Sequence, residues 1–325
     1  MNLYAAFKYT LNFHYKLKKR MKYDLETSPH HKISELIESK KTHIDILLLG
    51  DSVSERTSNT DTDTTPLFEM VGKKLNKNID YFAITHSAYY TDIYLLYIAL
   101  LKALNVKTDN IIIPINIRSF SPQWDLNPMF QCTGHIQQLL TALNKKGITN
   151  FNSYKSKPLT VSEFKKTSAE YPESRLNKIA QFENVISSSP KSEIDKTERK
   201  KAILTYHYMN RIERNHRKLS ALADLAAFCQ ENTIKLLVYM VPINYEAGER
   251  YIGNQFTHNL KANVSIISDT LTSKSTGFNN KIIFKDFSTL LQSGSFFNQD
   301  ETTEHLNQYG REILADQIIS SGIQS

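Results

Sequence analysis

The amino-acid sequence predicts an α/β fold: a flavodoxin-like, mostly parallel sheet of five strands with helices on both faces and a partly helical insertion. Short uninterrupted apolar runs, such as Asp45-Ile-Leu-Leu-Leu49 and Asn110-Ile-Ile-Ile113, read as strands buried on both faces. Stretches at helical spacing separate them, and a strand–helix–strand rhythm implies right-handed parallel crossovers. With 325 residues, 40% of them hydrophobic, the chain can bury a sizeable core, which excludes wholesale disorder.

The elements follow in order. Residues 1–44 read as a basic helical extension. Leu3, Phe7, Leu11 and Tyr15 recur at four-residue spacing, and Lys8, Lys16, Lys18, Lys19, Arg20 and Lys22 all precede the first acid, Asp24. Such a helix either rests peripherally on an anionic membrane surface or packs on the domain with a solvated lysine cluster; the second reading is favoured. Residues 45–325 form the α/β domain. Its first strand, Asp45–Leu49, ends at Gly50, and a polar stretch leads to Pro66, which opens a helix with Leu67, Met70, Val71 and Leu75 on one face. Tyr81–Ile84 is the second strand, and Asp92 is expected to cap a largely buried helix over 93–104. The third strand is expected to break at Pro114. Residues 119–200 break the rhythm and read as the insertion, helical around Ile136, Leu139, Leu140 and Leu143. A long helical segment over 198–230 is expected to split near Asn215. Ile234–Val241 and Lys281–Phe284 complete the sheet, with a helix between Asn254 and Thr272 and a closing one over 311–319.

Composition excludes several classes of function. The 40 Lys and Arg against 33 Asp and Glu leave a net charge of +7, but no nucleic-acid-reading motif accompanies the excess. Two cysteines, Cys132 and Cys229, make neither a disulfide framework nor a multi-Cys zinc site; Cys229 in an apolar run reads as core. No run of 18 apolar residues occurs, and the N-terminus lacks a signal-peptide core. These features fit a reducing, cytoplasmic setting. No His-Glu-x-x-His, dinucleotide fingerprint or P-loop is present, so no metal and no cofactor is expected. Asp51, Asp61 and Asp63 stand in ordinary polar loop and do not read as a cation site.

Three polar groups fall where the carboxyl edge of the sheet should lie: Ser52 after the first strand, Asn116 after the third and His305 after the last. A serine there can attack an acyl carbon if a histidine takes its proton, and an asparagine amide with backbone N–H groups can hold the resulting oxyanion. Ser, Asn and His are common at strand ends, so spacing alone decides little. Two strands end alike, at Ile113-Pro-Ile-Asn116 and Val241-Pro-Ile-Asn244.

Leu47-Leu-Leu-Gly-Asp-Ser-Val-Ser54 resembles the first block of the SGNH (GDSL-type) hydrolases, and His305-Leu-Asn307 followed by Gly310 is similar to their last. The resemblance covers residues 45–319 in outline, without the insertion. It implies Ser52 as nucleophile, His305 as general base and an oxyanion hole from the N–H groups of Ser52 and Ala88 with the Asn116 amide. The middle blocks depart from the pattern. Ala88 stands in place of a glycine, a change that a backbone donor survives where φ stays negative. Ile117 replaces the acid after Asn116, and the adjacent Arg118 is either a binder of an anionic substrate group or an ion-pair partner. The last block is Asp-x-x-His in the family, whereas Thr302 stands three residues before His305 here. Asp300, Glu301 and Glu304 lie nearby; Asp300 is the expected acid if the loop carries extra residues, and otherwise the pair works as a dyad. Trp124 is either a sugar-stacking ring or a core anchor. The resemblance implies an esterase or O-acyltransferase acting on O-acetyl groups of a carbohydrate or polysaccharide precursor. The competing reading is an inactive SGNH-like protein that binds a glycan or a partner at a membrane surface.

Overall fold

In a computed structural model, residues 28–155, 158–272, 282–301 and 303–323 are described. The chain divides into two compact units, 1–42 and 43–325. Within the first, helix α1 spans Pro29–Glu38, and the Ser28 hydroxyl caps it by accepting the His31 N–H at 3.3 Å. The amphipathic pattern over residues 3–22 lies outside the described residues. Among those described, no helix is long and apolar enough to cross a membrane.

The second unit is built on five parallel strands: β1 (His43–Gly50), β2 (Tyr81–Thr85), β3 (Lys107–Ile115), β4 (Lys235–Met240) and β5 (Ile282–Asp286). Their order is β2-β1-β3-β4-β5, the flavodoxin-like order. Because His43 and Ile44 pair with Lys107 and Thr108, the sheet starts at residue 43. The apolar runs are strands because both faces are covered. Helix α3 (Leu67–Lys74) and the closing helix α13 (Gln308–Ser320) pack on one face, against Ile46, Leu48, Ile112, Leu237 and Tyr239. Helix α4 (Thr91–Ala103) packs with α10 (Arg217–Glu231) and with α6 (Thr133–Lys145). Every residue from Thr91 to Leu101 is buried in α4, and each fully buried Leu or Ile contributes about 2 kcal/mol.

Two local expectations fail. Asp92 does not cap α4: Tyr90 holds the N-cap, and Asp92 sits buried in the first turn, where the Arg217 guanidinium pairs with it at 2.6 Å. An anion there also suits the positive end of the helix. Nor does β3 break at Pro114, which pairs with Tyr239 of β4. Ile115 gives its carbonyl to Val241 on that side, so the missing Pro114 donor faces β1, whose register with β3 ends at Ile112.

The region over 119–200 is largely helical. It contains α5 (Pro122–Asp125), α6, α7 (Val161–Lys166), α8 (Ile179–Ser187) and the start of α9 (Glu193–Tyr208). The expected split of the long helical segment falls between α9 and α10. Helices α11 (Tyr245–Ile252) and α12 (Gln255–Thr272) come after β4. Cys229 is buried in α10, as an apolar residue would be.

Candidate active site

The strand order reverses between β1 and β3, and the residues at the carboxyl ends of those two strands meet at that crevice. Gly50 ends β1 where no other residue fits: a Cβ there would lie 2.4 Å from the Ser54 hydroxyl and 2.8 Å from the Thr85 methyl. The tight turn leads into the one-turn helix α2 (Ser52–Glu55), whose N-cap Asp51 accepts the Val53 N–H at 2.9 Å. Ser52 is therefore the first helical residue, and its own N–H has no intrahelical partner.

His305 arrives from the other end of the domain. The motif around it has a clear structural reason. Asn307 caps α13 by accepting the Gly310 N–H at 3.1 Å and donates its amide to the Gly294 carbonyl at 2.7 Å. A Cβ on Gly310 would strike the Ser295 carbonyl at 2.4 Å, so only glycine lets this loop lie against the helix. The Phe297 N–H reaches the His305 carbonyl at 3.0 Å, and Phe296 bridges Leu306. Held in this way, His305 places Nε2 3.2 Å from Ser52 Oγ. Burial pushes the imidazole down to about 4, against the opposing pull of Glu304, while Arg56 and Arg118 push the same way as burial. His305 is thus neutral at pH 7.

Asn116 comes directly after β3 and completes the group. Its side-chain oxygen accepts the Arg118 N–H at 3.0 Å and its amide donates to Asp51 at 3.3 Å. Burial raises the Asp51 carboxyl to about 7, although the Val53 N–H and the Asn116 amide both oppose the shift. Ser52, Ala88, Asn116, Arg118, Ser119 and Trp124 line one small cleft. Among the described residues, no acceptor takes the Ser52 or the Ala88 N–H. The condition of negative φ at Ala88 is not met: φ is +68°, the left-handed region where glycine is at ease and alanine is strained. The backbone keeps the conformation of a glycine without having one.

The acid does not fall where expected. Asp300 is exposed, and its carboxylate is engaged by Lys200, Arg250 and the Tyr251 hydroxyl, so the structure does not bring it to His305. Thr302 lies outside the described residues. Among those described, no carboxylate forms a hydrogen bond or ion pair with His305. Glu304 is buried beside it but turns to other partners: Arg118 Nη1 at 2.8 Å and the Tyr208 hydroxyl. Burial pushes the Glu304 carboxyl up, but Arg118 and the adjacent His305 outweigh it and hold the group well below the usual range.

The two wall residues also have internal partners. Arg118 forms that ion pair, while its Nε is buried without an acceptor. Trp124 lies against Phe130 at 4.2 Å between ring centroids and under the Arg118 guanidinium at 5.4 Å. Two residues carried no signal in the sequence. Lys218, fully buried in α10, ties down the wall through the carbonyls of Ser119 and Trp124 and sits 4.4 Å over the Tyr90 ring. Tyr208 reaches Glu304 from the end of α9. At the far end of the sheet, His43, Asp45 and Asp109 cluster, but they already pair with one another and with Lys107. Asp61 is the ion-pair partner of the fully buried Arg311.

No protein-family model and no curated protein matches the chain. Solved structures do. An acetyl xylan esterase variant from Geobacillus stearothermophilus is 10% identical, covering 86% of this chain and 96% of that one at a TM-score of 0.40. A family two carbohydrate esterase from Clostridium thermocellum, in complex with cellohexaose, is 9% identical over 85% of this chain and 62% of that one, with a TM-score of 0.37. A GDSL-like lipase from Bacteroides thetaiotaomicron is 10% identical over 88% and 89%, at 0.35.

Proposed function

We propose that the protein performs serine-dependent acyl-ester chemistry, with Ser52 as nucleophile and His305 as general base. The observation that carries this reading is the 3.2 Å approach of Ser52 Oγ to His305 Nε2 in a cleft shared with the Asn116 amide. With its proton on Nδ1, His305 accepts the Ser52 proton at Nε2 as Oγ bonds to the ester carbon. The Ser52 and Ala88 N–H groups and the Asn116 amide receive the oxyanion. The protonated His305 then gives its proton to the leaving alcohol. Water releases the acyl group in an esterase; a sugar hydroxyl accepts it in an O-acyltransferase. The cleft beside Ser52 is lined by the Asn116 amide, Arg118, Ser119 and Trp124, polar and aromatic groups that suit a sugar. Together with the motif resemblance, this favours an O-acetylated carbohydrate as substrate, with Arg118 and Trp124 forming its wall.

The test is hydrolysis of a small aryl acetate by wild type, Ser52→Ala and His305→Ala. Both variants should lose about 10³-fold or more in rate. Equal activity in all three proteins, with no labelling of Ser52 by a fluorophosphonate, would overturn the reading in favour of a binding-only protein.

A further inference from the structure

The site has a nucleophile and a base but, among the described residues, no acid on the base, and a buried ion pair lies beside it. We infer that Glu304, clamped by Arg118 and Tyr208, is the positioning residue that sets His305 against Ser52 in place of an acid three residues earlier. This rests on the proposed Ser52–His305 chemistry.

Both Glu304 carboxylate oxygens are used, one by Arg118 Nη1 at 2.8 Å and the other by the Tyr208 hydroxyl. The carboxylate therefore cannot turn to the imidazole, and its hold on the loop acts on the backbone immediately before His305. The Asn244 N–H bonds to the Thr303 carbonyl at 3.1 Å and the Phe297 N–H to the His305 carbonyl at 3.0 Å, so the backbone on either side of Glu304 is pinned as well. Arg118 belongs to the turn that holds Asn116, through its N–H to the Asn116 oxygen. One ion pair thus joins the oxyanion side of the site to the histidine loop. Tyr208 is fixed in turn, since Asn259 donates to its carbonyl at 3.0 Å.

Energetics argue against a purely structural pair. Desolvating two charges costs roughly what their attraction returns, and a well-packed apolar pair often does as well. The charge has an electrostatic effect that an apolar pair would lack. Glu304 favours the imidazolium that forms when Ser52 gives up its proton, whereas Arg118 and Arg56 oppose it. Asp51, a second buried carboxyl lining the cleft, interacts with Glu304 itself.

The experiment follows His305 by NMR titration in the full chain, alongside kcat and KM for an aryl acetate across pH. Glu304→Gln should move the His305 inflection to lower pH and reduce kcat about 10- to 100-fold with KM within twofold. Arg118→Met should move the inflection to higher pH, because it removes a cation and leaves the anion. Opposite shifts show that both charges act on the imidazole, and the fall in kcat at unchanged KM is the readout that a merely structural role does not move. The double variant Arg118→Met/Glu304→Leu replaces the pair with apolar groups; it should fold, by circular dichroism, and remain as slow as Glu304→Gln. Wild-type kcat in Glu304→Gln or in the double variant, or shifts of the same sign in both single variants, would overturn the inference. A wild type that hydrolyses nothing would count against the proposed chemistry instead, while the NMR titration still tests Glu304.

Discussion

Two strands of this sheet end in the same tripeptide, Pro-Ile-Asn, and the two asparagines do different work. Asn116, after β3, faces the cleft: one side of its amide is tied to Asp51 and to the Arg118 N–H, and the rest is left for a ligand. Asn244, after β4, is fully enclosed. It caps α11 by accepting the Ala247 N–H, takes the Ser293 hydroxyl at 2.8 Å, and donates to the carbonyls of Gln299 and Glu301 at 3.1 and 3.0 Å. The difference originates in the segments that cover the two strand ends. A short turn after β3 leaves Asn116 buried but lining the cleft, whereas the loop carrying His305 wraps over Asn244. On the proposed chemistry the same local sequence supplies an oxyanion donor in one place, and in the other it is a mould for the histidine loop.

The comparison can be broken by substitution. The largest effect is expected at Asn116→Ala, which should lower kcat for an aryl acetate about 10²- to 10³-fold, as loss of an oxyanion donor does, with a stability change near 1 kcal/mol. Asn244→Ala should do the reverse: about 3 kcal/mol lost in denaturant unfolding, from orphaned carbonyls and a lost cap, with kcat of the folded fraction much less affected. If Asn244→Ala is as stable as wild type, or Asn116→Ala as active, the division of labour fails. The pH profile sharpens it further. His305 is held to about 4 against an ordinary 6.5, so it stays neutral and active well below pH 6.5, and the acid limb of kcat/KM should fall near pH 4. The unfolded chain takes up that proton first, so this group lowers stability as pH drops from 6.5 toward 4. An acid limb at 6.5 would mean that the imidazole is solvated. The smallest effect concerns a third strand end. Ala88→Gly should relieve the left-handed strain and stabilise the fold by about 0.5–1 kcal/mol, with activity retained. A loss of stability there would show that the strain is absent.

The central strands were legible because a strand buried on both faces must be an apolar run, and every segment read as a strand is one. The Ser52 and His305 segments were legible because their glycines and Asn307 meet local steric and capping demands. The features that escaped depend on distant partners. Asp92 has a good capping side chain, but Arg217, far along the chain, decides where it sits. Asp300 is near His305 in sequence, yet Lys200 and Arg250 draw its carboxylate elsewhere. The Glu304 clamp needs Tyr208, 96 residues away, and no local spacing announces it. At Ala88 an alanine favours negative φ, and the surrounding turn imposes the opposite sign.

Ser52 and His305 are 253 residues apart in the chain. At synthesis rates of about 5–20 residues per second, the serine leaves the ribosome roughly 13–50 s before the histidine. A nascent chain therefore carries Ser52 without His305, its proposed base, and the two can meet only once β5 and the loop after it have been made. On the proposed chemistry, labelling of Ser52 by a fluorophosphonate would therefore report that the loop carrying His305 has docked.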